Sequence, residues 1–205
     1  FHGTSHKYIT EEMKTRLNKD DVNLIICHIG SGGSLSCIKN GKSIDTTMGL
    51  TPLDGIMMGT RSGSIDASII EYIMRETGMS VNDVTNELNK NSGLLGISGF
   101  ADCRDVEEAL ASGSENAHLA LQMYNNRVVN YIAQYYLELD GDVDAIIFTA
   151  GVGENGVEFR ENIINKLAPL GIELNKEQNS KIASYKDIHE GIISSPDSKV
   201  PVYVI

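Results

Sequence analysis

Residues 24–45, LIICHIGSGGSLSCIKNGKSID, hold three short apolar segments separated by two turns. The first turn is rich in glycine, and the second is the pair Asn40-Gly41, which favours a tight type I′ hairpin turn. The pattern predicts strands over 24–29, 34–38 and 42–45, joined as antiparallel hairpins. We expect these three strands to start a sheet to which the rest of the chain is added.

Helical periodicity surrounds this hairpin unit. Apolar residues recur every four positions over 4–17, behind Thr4 or Ser5 as the helix cap. After an irregular loop over 48–63, three further helices are expected behind Asp66, Ser80 and Asp102 as caps. Residues 117–139 then predict a long helix.

The last third of the sequence supplies single strands. Residues 143–149 are nearly all apolar and predict a strand buried on both faces, followed by a glycine-rich exit loop over 150–155. A helix through Phe159 and a final strand over 200–205 complete the pattern. We expect an α/β fold in which one mixed central sheet with flanking helices forms a single domain over residues 1–205.

Composition excludes several classes of partner. The chain of 205 residues carries 17 Lys and Arg against 28 Asp and Glu, a formal net charge of -11. Nucleic acids and anionic membranes need clustered positive charge, so we expect neither as a partner. The apolar runs are far shorter than the roughly 18 residues of a membrane span, which predicts a soluble protein.

The cysteines indicate the cellular compartment of the protein, and the chain ends indicate whether the sequence is part of a longer protein. Cys27, Cys37 and Cys103 are widely spaced without a CxxC pair, which predicts buried free thiols in the cytoplasm. The chain begins at Phe1 without a signal sequence and ends on a predicted strand. We therefore expect it to be part of a longer protein.

Three glycine-rich segments, 30–34, 59–63 and 151–156, are candidates for binding phosphate. Glycine lets the main chain approach a ligand closely, and rows of backbone N–H groups suit an anion. The first segment is equally well explained as a hairpin loop. None of the three fits GxGxxG followed by a ribose-binding acid after one βαβ unit, and none fits GxxxxGK[ST]. The sequence therefore supports neither a dinucleotide-binding fold nor a P-loop.

A few charged and ring side chains lie close to these segments. Arg61 stands between two glycines and is suited either to grip a phosphoryl oxygen or to pair with a local carboxylate. His2 and His6 flank a helix start, where they are either structural or donors to an anion. His28 lies near the end of a strand, just before Gly30. Its imidazole either faces a bound phosphate or fills the end of the sheet.

Two polar segments have both a structural and a ligand-binding interpretation. Glu154 and Asn155 form either a polar start to the helix of Phe159 or a nucleotide contact. Asp102 is most simply a helix cap. Arg104 lies early in that helix, against the dipole preference for a cation, so a ligand role is kept as an alternative.

Six motifs occur along the chain in a fixed order. They are FHGTSH at 1–6, HIGSGGS at 28–34, DTTMGLTPLDGIMMGTRSG at 45–63, DCRD at 102–105, FTAGVGEN at 148–155 and SPDS at 195–198. Together they resemble the acetate kinase family, within the superfamily of acetate and sugar kinases and actin. The resemblance covers the whole chain and implies an actin-like ATPase (ribonuclease H-like) domain.

The resemblance also implies an activity and a set of site residues. It implies direct in-line transfer of the ATP γ-phosphoryl group to acetate, with magnesium, to give ADP and acetyl phosphate. His2 and Arg61 are implied to stabilise the transition state. Three groups of residues are implied to bind ATP or ADP. The phosphates are contacted by His28, Ile29, Gly30, Ser31 and Gly32, and the nucleoside lies by Asp102, Cys103 and Arg104. Both the adenosine and the phosphates are covered from the other side by Gly151, Val152, Gly153, Glu154 and Asn155.

Other parts of the family's site are expected outside this chain. The resemblance implies that the acetate pocket and the magnesium ligands lie elsewhere, so we expect no metal ligand here and no turnover by the chain alone. A homodimer through this domain is also implied.

The sequence departs from the family pattern at three positions. Ser31 replaces the usual asparagine, Ser64 the usual aspartate and Ala67 the usual proline. Two alternatives remain. One is a kinase for propionate or another short acid, and the other is a non-catalytic nucleotide-binding or scaffold module, for which Ser31 and Ser64 are the motivating features.

Overall fold

The computed structural model describes all 205 residues and contains one six-stranded sheet. Two compact units are present in the chain. Phe1–Thr47 and Val128–Ile205 form the first unit, and Met48–Arg127 form the second. All six strands belong to the first unit.

The sheet is mixed, as the sequence predicts. Its strands are β1 Leu24–Ile29, β2 Gly33–Lys39, β3 Lys42–Thr46, β4 Ala145–Thr149, β5 Gly191–Ile192 and β6 Val202–Val204. They lie in the order β3-β2-β1-β4-β6-β5. Antiparallel pairing joins β1 to β2 and β2 to β3, whereas β4 is parallel to both β1 and β6. The predicted hairpin unit therefore forms one edge of the sheet, and the later strands add to β1.

The tight turn between β2 and β3 has the predicted geometry. Asn40 has a φ of 51° and Gly41 a φ of 70°. A type I′ turn requires positive φ at both central residues, which an Asn-Gly pair adopts at little cost. The local sequence therefore sets the pairing next to the turn, Lys39 with Lys42 and Ile38 with Ser43, and an irregularity between Cys37 and Ile38 shifts the register beyond it.

Nine α-helices and one short 3₁₀ helix, Ala168–Leu170, accompany the sheet. The α-helices are α1 Gly3–Leu17, α2 Ser68–Thr77, α3 Val81–Lys90, α4 Gly93–Ser98, α5 Cys103–Ala111, α6 Glu115–Glu138, α7 Ala150–Asn155, α8 Val157–Lys166 and α9 Lys176–Lys181. No helix combines the length and the apolar character needed to cross a membrane.

Alternation of side chains along the strands creates two faces of the sheet. Leu24 and Ile26 of β1 form a buried cluster with Ile9 and Met13 of α1, so α1 covers this face. Phe148 of β4 points the other way and makes an edge-to-face ring contact with Phe159 of α8, 6.3 Å between centroids. Apolar burial on both faces fixes the strand register, because a shift by one residue would exchange the faces.

Two predictions about local structure are wrong. The cap of α1 is His2, which has a left-handed φ of 53°, and not Thr4 or Ser5, which lie inside the helix. The predicted exit loop over 150–155 is the short helix α7. Its glycines hide the helical pattern, because a segment of 6 residues with three small side chains has no apolar stripe.

The second unit contains the irregular loop and the helices α2 to α5. Asp66 accepts a hydrogen bond from the Ser68 N–H at 2.9 Å, and Gly78 ends α2 with a φ of 73°. Ser80 and Asp83 form a reciprocal capping box at the start of α3. The predicted cap Ser80 is confirmed, whereas the cap of α2 is Ala67 and not Asp66, which lies one residue earlier in the chain. The short α4 has no counterpart in the sequence-based prediction.

Candidate functional site

The parallel strands β1 and β4 end side by side, with His28 opposite Thr149. β1 continues into the turn at 30–33, and β4 continues directly into α7. A Cβ atom on Gly30 would lie 3.8 Å from the Ala150 Cβ, so the turn and the start of α7 are neighbours. Two of the three predicted glycine-rich segments therefore meet at the carboxyl edge of the sheet, where open α/β sheets bind ligands.

Helix α7 lies directly on the strand ends. Ala150 has a φ of 68°, an uncommon conformation for a residue with a side chain, and it turns the chain sharply out of β4. A Cβ atom on Gly153 would lie 3.4 Å from the Phe148 carbonyl carbon and 3.7 Å from the Cys27 oxygen. This close packing leaves the exposed side of α7, including Gly151, at the sheet edge.

Three histidines gather on the face of the sheet that carries α1. The His2 ring stacks on His28, with centroids 4.1 Å apart, and the His6 centroid lies 6.1 Å from that of His28. Two serines hold the rings. Ser5 Oγ is 2.8 Å from Nδ1 of His28, and Ser34 Oγ is 2.8 Å from Nδ1 of His2 and 2.9 Å from Nε2 of His6.

Register explains why these side chains meet. His28 has the same orientation as Leu24 and Ile26, four and two residues earlier, and so faces α1. Ser34 is the direct antiparallel partner of His28. His2 and His6 are separated by four residues at the start of α1, a spacing that places both side chains on one side of the helix.

The shared environment keeps two of the imidazoles neutral. Burial lowers the pKa of His6 to about 3, and His28, His2 and the N-terminal amine contribute to this by charge repulsion. Burial, with a contribution from His2, lowers the pKa of His28 to about 4. Near neutral pH, His6 and His28 therefore act through hydrogen bonds and not as cations.

Arg160 supports α7 from inside the protein, and the sequence-based prediction did not include it. It is completely buried in α8. Its Nη1 donates to the carbonyl oxygens of Gly153 and Glu154, at 2.9 and 2.6 Å. Its other nitrogens donate to Asn179 and to the Ile182 carbonyl oxygen. One guanidinium thus ties the candidate nucleotide segment to α9 and the residues after it.

Asn155 makes a second connection from α7. Its side-chain oxygen accepts hydrogen bonds from the Ser184 N–H at 2.9 Å and from the Ser184 hydroxyl at 2.7 Å. Its side-chain nitrogen donates to the Gly151 carbonyl oxygen at 2.9 Å. The amide of Asn155 is therefore engaged within the protein, and the helix of Phe159 starts two residues later, after Gly156.

In the second unit, Arg61 has neutral hydrogen-bond partners. Its Nη1 lies 3.2 Å from the Pro52 carbonyl oxygen and 3.4 Å from the Met58 sulfur. The structural alternative for Arg61, an ion pair with a local carboxylate, is wrong, since none of the ion pairs in the structure includes it. Its positive charge is not neutralised by a neighbouring side chain.

Ser64, at the position of the family's usual aspartate, has a local role. Its hydroxyl donates to Asp54 Oδ1 at 2.5 Å and accepts from the Gly55 N–H at 3.0 Å. Asp54 therefore brings a carboxylate to this loop from another position in the sequence. The hydrogen bonds of Ser64 stabilise the loop that contains Arg61.

Asp102 and Arg104 pair with each other at the start of α5. Asp102 accepts a hydrogen bond from the Arg104 N–H at 2.9 Å, which confirms its predicted role as a cap. The same carboxylate contacts the Arg104 guanidinium at 3.0 and 2.6 Å, and these bonds lower the pKa of Asp102 to about 2. Cys103 between them is half-buried, and burial raises the pKa of its thiol to about 12.

The predicted site residues thus fall into two sets. The first unit contains the set formed by His2, by His28, Ile29, Gly30, Ser31 and Gly32, and by Gly151, Val152, Gly153, Glu154 and Asn155. The second unit contains Arg61, Asp102, Cys103 and Arg104. No group of three or more His, Cys, Asp or Glu side chains is arranged to hold a metal ion.

Comparison with known proteins identifies the family. The model of the acetokinase family matches residues 1–205, which is the entire chain. The chain belongs to the acetokinase family. It is 47% identical over 206 residues to the acetate kinase of Finegoldia magna, covering 100% of this chain and 51% of that protein. The chain therefore spans about half the length of the curated relatives it matches.

Solved structures of acetokinases have the same fold. A propionate kinase from Francisella tularensis superposes with a TM-score of 0.93 at 46% identity, covering 100% of this chain and 51% of the other. The acetate kinase of Porphyromonas gingivalis gives a TM-score of 0.93 at 39% identity, with the same coverage. The predicted fold class, the α/β actin-like ATPase fold, is confirmed.

Some residues of the candidate site in this acetokinase chain have a sequence signal that the prediction overlooked. Arg160 shares the buried stripe of α8 with Ile163 and Ile164, and an arginine at such a position indicates an internal hydrogen-bond network. Ser34 begins the inward face of β2, so its hydroxyl needs a partner. Ser5 carries no comparable signal, because its contact with His28 depends on how α1 crosses the sheet.

Proposed function

We propose that residues 1–205 are the nucleotide-binding domain of an acetate kinase. The reaction joins an acetate oxygen to the γ-phosphorus of ATP as the bond to the β-γ bridging oxygen breaks, which releases ADP and acetyl phosphate. Membership of the acetokinase family supports this assignment. The observation that carries it is the meeting of the turn at 30–33, α7 and the stacked pair His2 and His28 at one sheet edge.

The proposal gives each set of residues a role. His28, Ile29, Gly30, Ser31 and Gly32 contact the phosphates, Gly151, Val152, Gly153, Glu154 and Asn155 cover nucleotide and phosphates, and Asp102, Cys103 and Arg104 lie by the nucleoside. His2 and Arg61 stabilise the charge that develops on the phosphoryl oxygens during transfer. The magnesium ligands are assigned to the remainder of the protein, as the resemblance to the family implies.

Turnover, oligomeric state and partners depend on more than this domain. Because transfer needs both substrates held in one cleft, the domain alone binds ADP or ATP without turnover. We further propose a cytoplasmic homodimer with no nucleic-acid or membrane partner. The net charge of -11 supports the exclusion of anionic polymers and surfaces.

A propionate kinase is the second candidate. The observation that favours it is the Francisella tularensis propionate kinase, whose TM-score of 0.93 equals that of an acetate kinase. Measuring acyl phosphate as the hydroxamate, with the complete protein and either acid, separates the two. A larger kcat/KM for propionate favours the second candidate, and no activity with either acid favours a scaffold module.

Binding of ADP to the 205-residue chain tests the site directly. Gly151 is exposed and lacks a positive φ, and no atom lies within 4 Å of the place that a Cβ would take, so it accepts a side chain without a clash. In Gly151→Asp the added carboxylate repels the phosphates, whereas Gly151→Asn adds a neutral group of the same shape. We expect the Gly151→Asp variant to bind ADP at least about tenfold more weakly than the Gly151→Asn variant, a difference in binding free energy of about 1.4 kcal/mol.

Titration calorimetry checks this difference, and adenosine is the control ligand. Without phosphates, adenosine is expected to bind the two variants equally. Equal ADP affinities for the Asp and Asn variants, or no binding of ADP to the unmodified chain at millimolar concentration, would remove α7 from the phosphate site. Circular dichroism confirms that both variants are folded.

A further inference from the structure

Ser34 contacts two histidines, only one of which the proposed function uses. Its side chain is completely buried in β2, and its hydroxyl oxygen lies 2.8 Å from His2 Nδ1 and 2.9 Å from His6 Nε2. A hydroxyl group has one proton to donate, so it cannot donate to both rings. Its oxygen could accept from both rings, but the buried hydroxyl proton would then have no acceptor, because the two rings are the only hydrogen-bond partners of Ser34 Oγ. One histidine therefore donates to Ser34, and the other accepts from it.

Two arrangements satisfy this condition, and they differ in the proton on His6. Burial keeps His6 neutral, so its ring carries one N–H group. In the first arrangement, that proton is on Nε2 and is donated to Ser34. In the second, it is on Nδ1, and Ser34 donates to His6 Nε2 while accepting from His2 Nδ1.

The surroundings of His6 Nδ1 distinguish the two arrangements. This atom is buried and has no hydrogen-bond partner within the protein. The second arrangement would leave a buried N–H group without an acceptor, whereas the first leaves only an unused lone pair. Buried N–H groups without partners are rarer in proteins than unsatisfied acceptors, because a buried donor that makes no hydrogen bond loses the hydration it had in water.

We infer that a directed chain of hydrogen bonds, from His6 Nε2–H to Ser34 and from the Ser34 hydroxyl to His2 Nδ1, holds neutral His2 as the tautomer protonated on Nε2. Ser34 and His6 are positioning residues, because they act through His2. The tautomer assignment depends only on the structure. Its consequence for catalysis, that Nε2–H of His2 is the donor offered to a phosphoryl oxygen, rests on the proposed function.

Nuclear magnetic resonance of the chain with ¹⁵N-labelled histidine tests the inference. Long-range proton–nitrogen correlation spectra distinguish protonated from unprotonated ring nitrogens, and a His2→Asn variant assigns the His2 signals. Near neutral pH we expect His2 Nε2 to be protonated and Nδ1 to be unprotonated. A protonated Nδ1 in the unmodified chain overturns the inference without any variant.

Ser34→Ala removes the bridging hydroxyl and tests its part in the chain of hydrogen bonds. We expect the two His2 nitrogens to lose their distinct states and to give the averaged signals of a tautomer mixture. Ser34→Thr keeps a hydroxyl at this position, and we expect it to restore the single tautomer. An unchanged His2 spectrum in folded Ser34→Ala contradicts the role of Ser34.

A pair of His6 variants independently tests the hydrogen bond that His6 donates to Ser34. His6→Gln retains an amide N–H that can donate to Ser34, whereas His6→Leu retains no donor. We expect the single His2 tautomer in the glutamine variant and a mixture in the leucine variant. If both folded variants show the same His2 tautomer populations, the proposed direction of the hydrogen bonds, from His6 through Ser34 to His2, is contradicted. These readouts do not depend on kinase activity, so a failure of the proposed function leaves them interpretable.

Discussion

Replacing Arg61 by alanine is expected to lower kcat for acyl phosphate formation by the complete protein about a thousandfold. The reason is the environment of the guanidinium, which is hydrogen-bonded to the Pro52 carbonyl oxygen and the Met58 sulfur and not to a carboxylate. An arginine whose charge is not neutralised is suited to stabilise the negative charge that develops on a transferring phosphoryl group. The hydroxamate assay measures the loss.

Two further variants show whether the loss reflects phosphoryl transfer. Arg61→Lys keeps the charge but loses the planar arrangement of donors, so we expect a kcat between those of the unmodified protein and the alanine variant. Arg75→Ala removes an exposed arginine of the same unit that pairs with Glu71 and Glu76, and we expect kcat within about twofold of the unmodified value. If Arg61→Ala retains more than about a tenth of the activity, Arg61 is not a stabiliser of the transition state.

The hairpin unit is the part of the fold that is determined by residues close together in the sequence. Strand alternation and the Asn40-Gly41 turn involve neighbours along the chain, so β1, β2 and β3 and their antiparallel order could be predicted. The parallel pairing of β1 with β4 could not, because it joins residues that are far apart in the sequence and depends on packing over the whole unit. Only the apolar character of β4 indicated that it is internal.

The candidate site was predictable where glycine marks it. The turn at 30–33 and the segment at 151–156 carry their signal in composition, and the structure places them side by side. The conformation of the second segment was not predictable. Gly151 and Gly153 indicate a loop by propensity, but packing of α7 on the strand ends overrides that preference.

Hydrogen-bond networks between distant residues were the least predictable feature. Ser34 meets His2 and His6 because β2 pairs with β1 and α1 crosses the same face of the sheet. Sequence alone identifies each side chain as polar, and only the three-dimensional arrangement identifies its partner. Arg160 belongs to the same class, and it leads to the strongest expected effect on stability.

Replacing Arg160 by methionine is expected to reduce the free energy of unfolding by about 3–5 kcal/mol. Methionine fills a similar volume but cannot donate, so it removes five hydrogen bonds to Gly153, Glu154, Asn179 and Ile182. Burial lowers the pKa of Arg160 to about 10, so the side chain remains charged near neutral pH. Its charge is balanced only by carbonyl and amide dipoles.

Urea unfolding of the chain, followed by circular dichroism, measures this change. Arg160→Lys keeps a buried charge but has fewer donors, so we expect a loss of stability at least as large as that of methionine. Arg16→Met is the matched control, because Arg16 pairs with Glu12 and Glu190 at the surface, and we expect a change below about 1 kcal/mol. An Arg160→Met chain as stable as the control would show that the buried network does not hold this unit together.

The same variant connects stability to the proposed nucleotide site. The Gly153 and Glu154 carbonyl oxygens belong to α7, so loss of the guanidinium releases this helix from α9 while leaving the turn at 30–33 in place. In folded Arg160→Met, at low temperature and without urea, we expect ADP to bind at least about tenfold more weakly than to Arg16→Met. Unchanged ADP affinity together with lowered stability would limit Arg160 to a structural role and would argue that α7 makes no contact with the nucleotide.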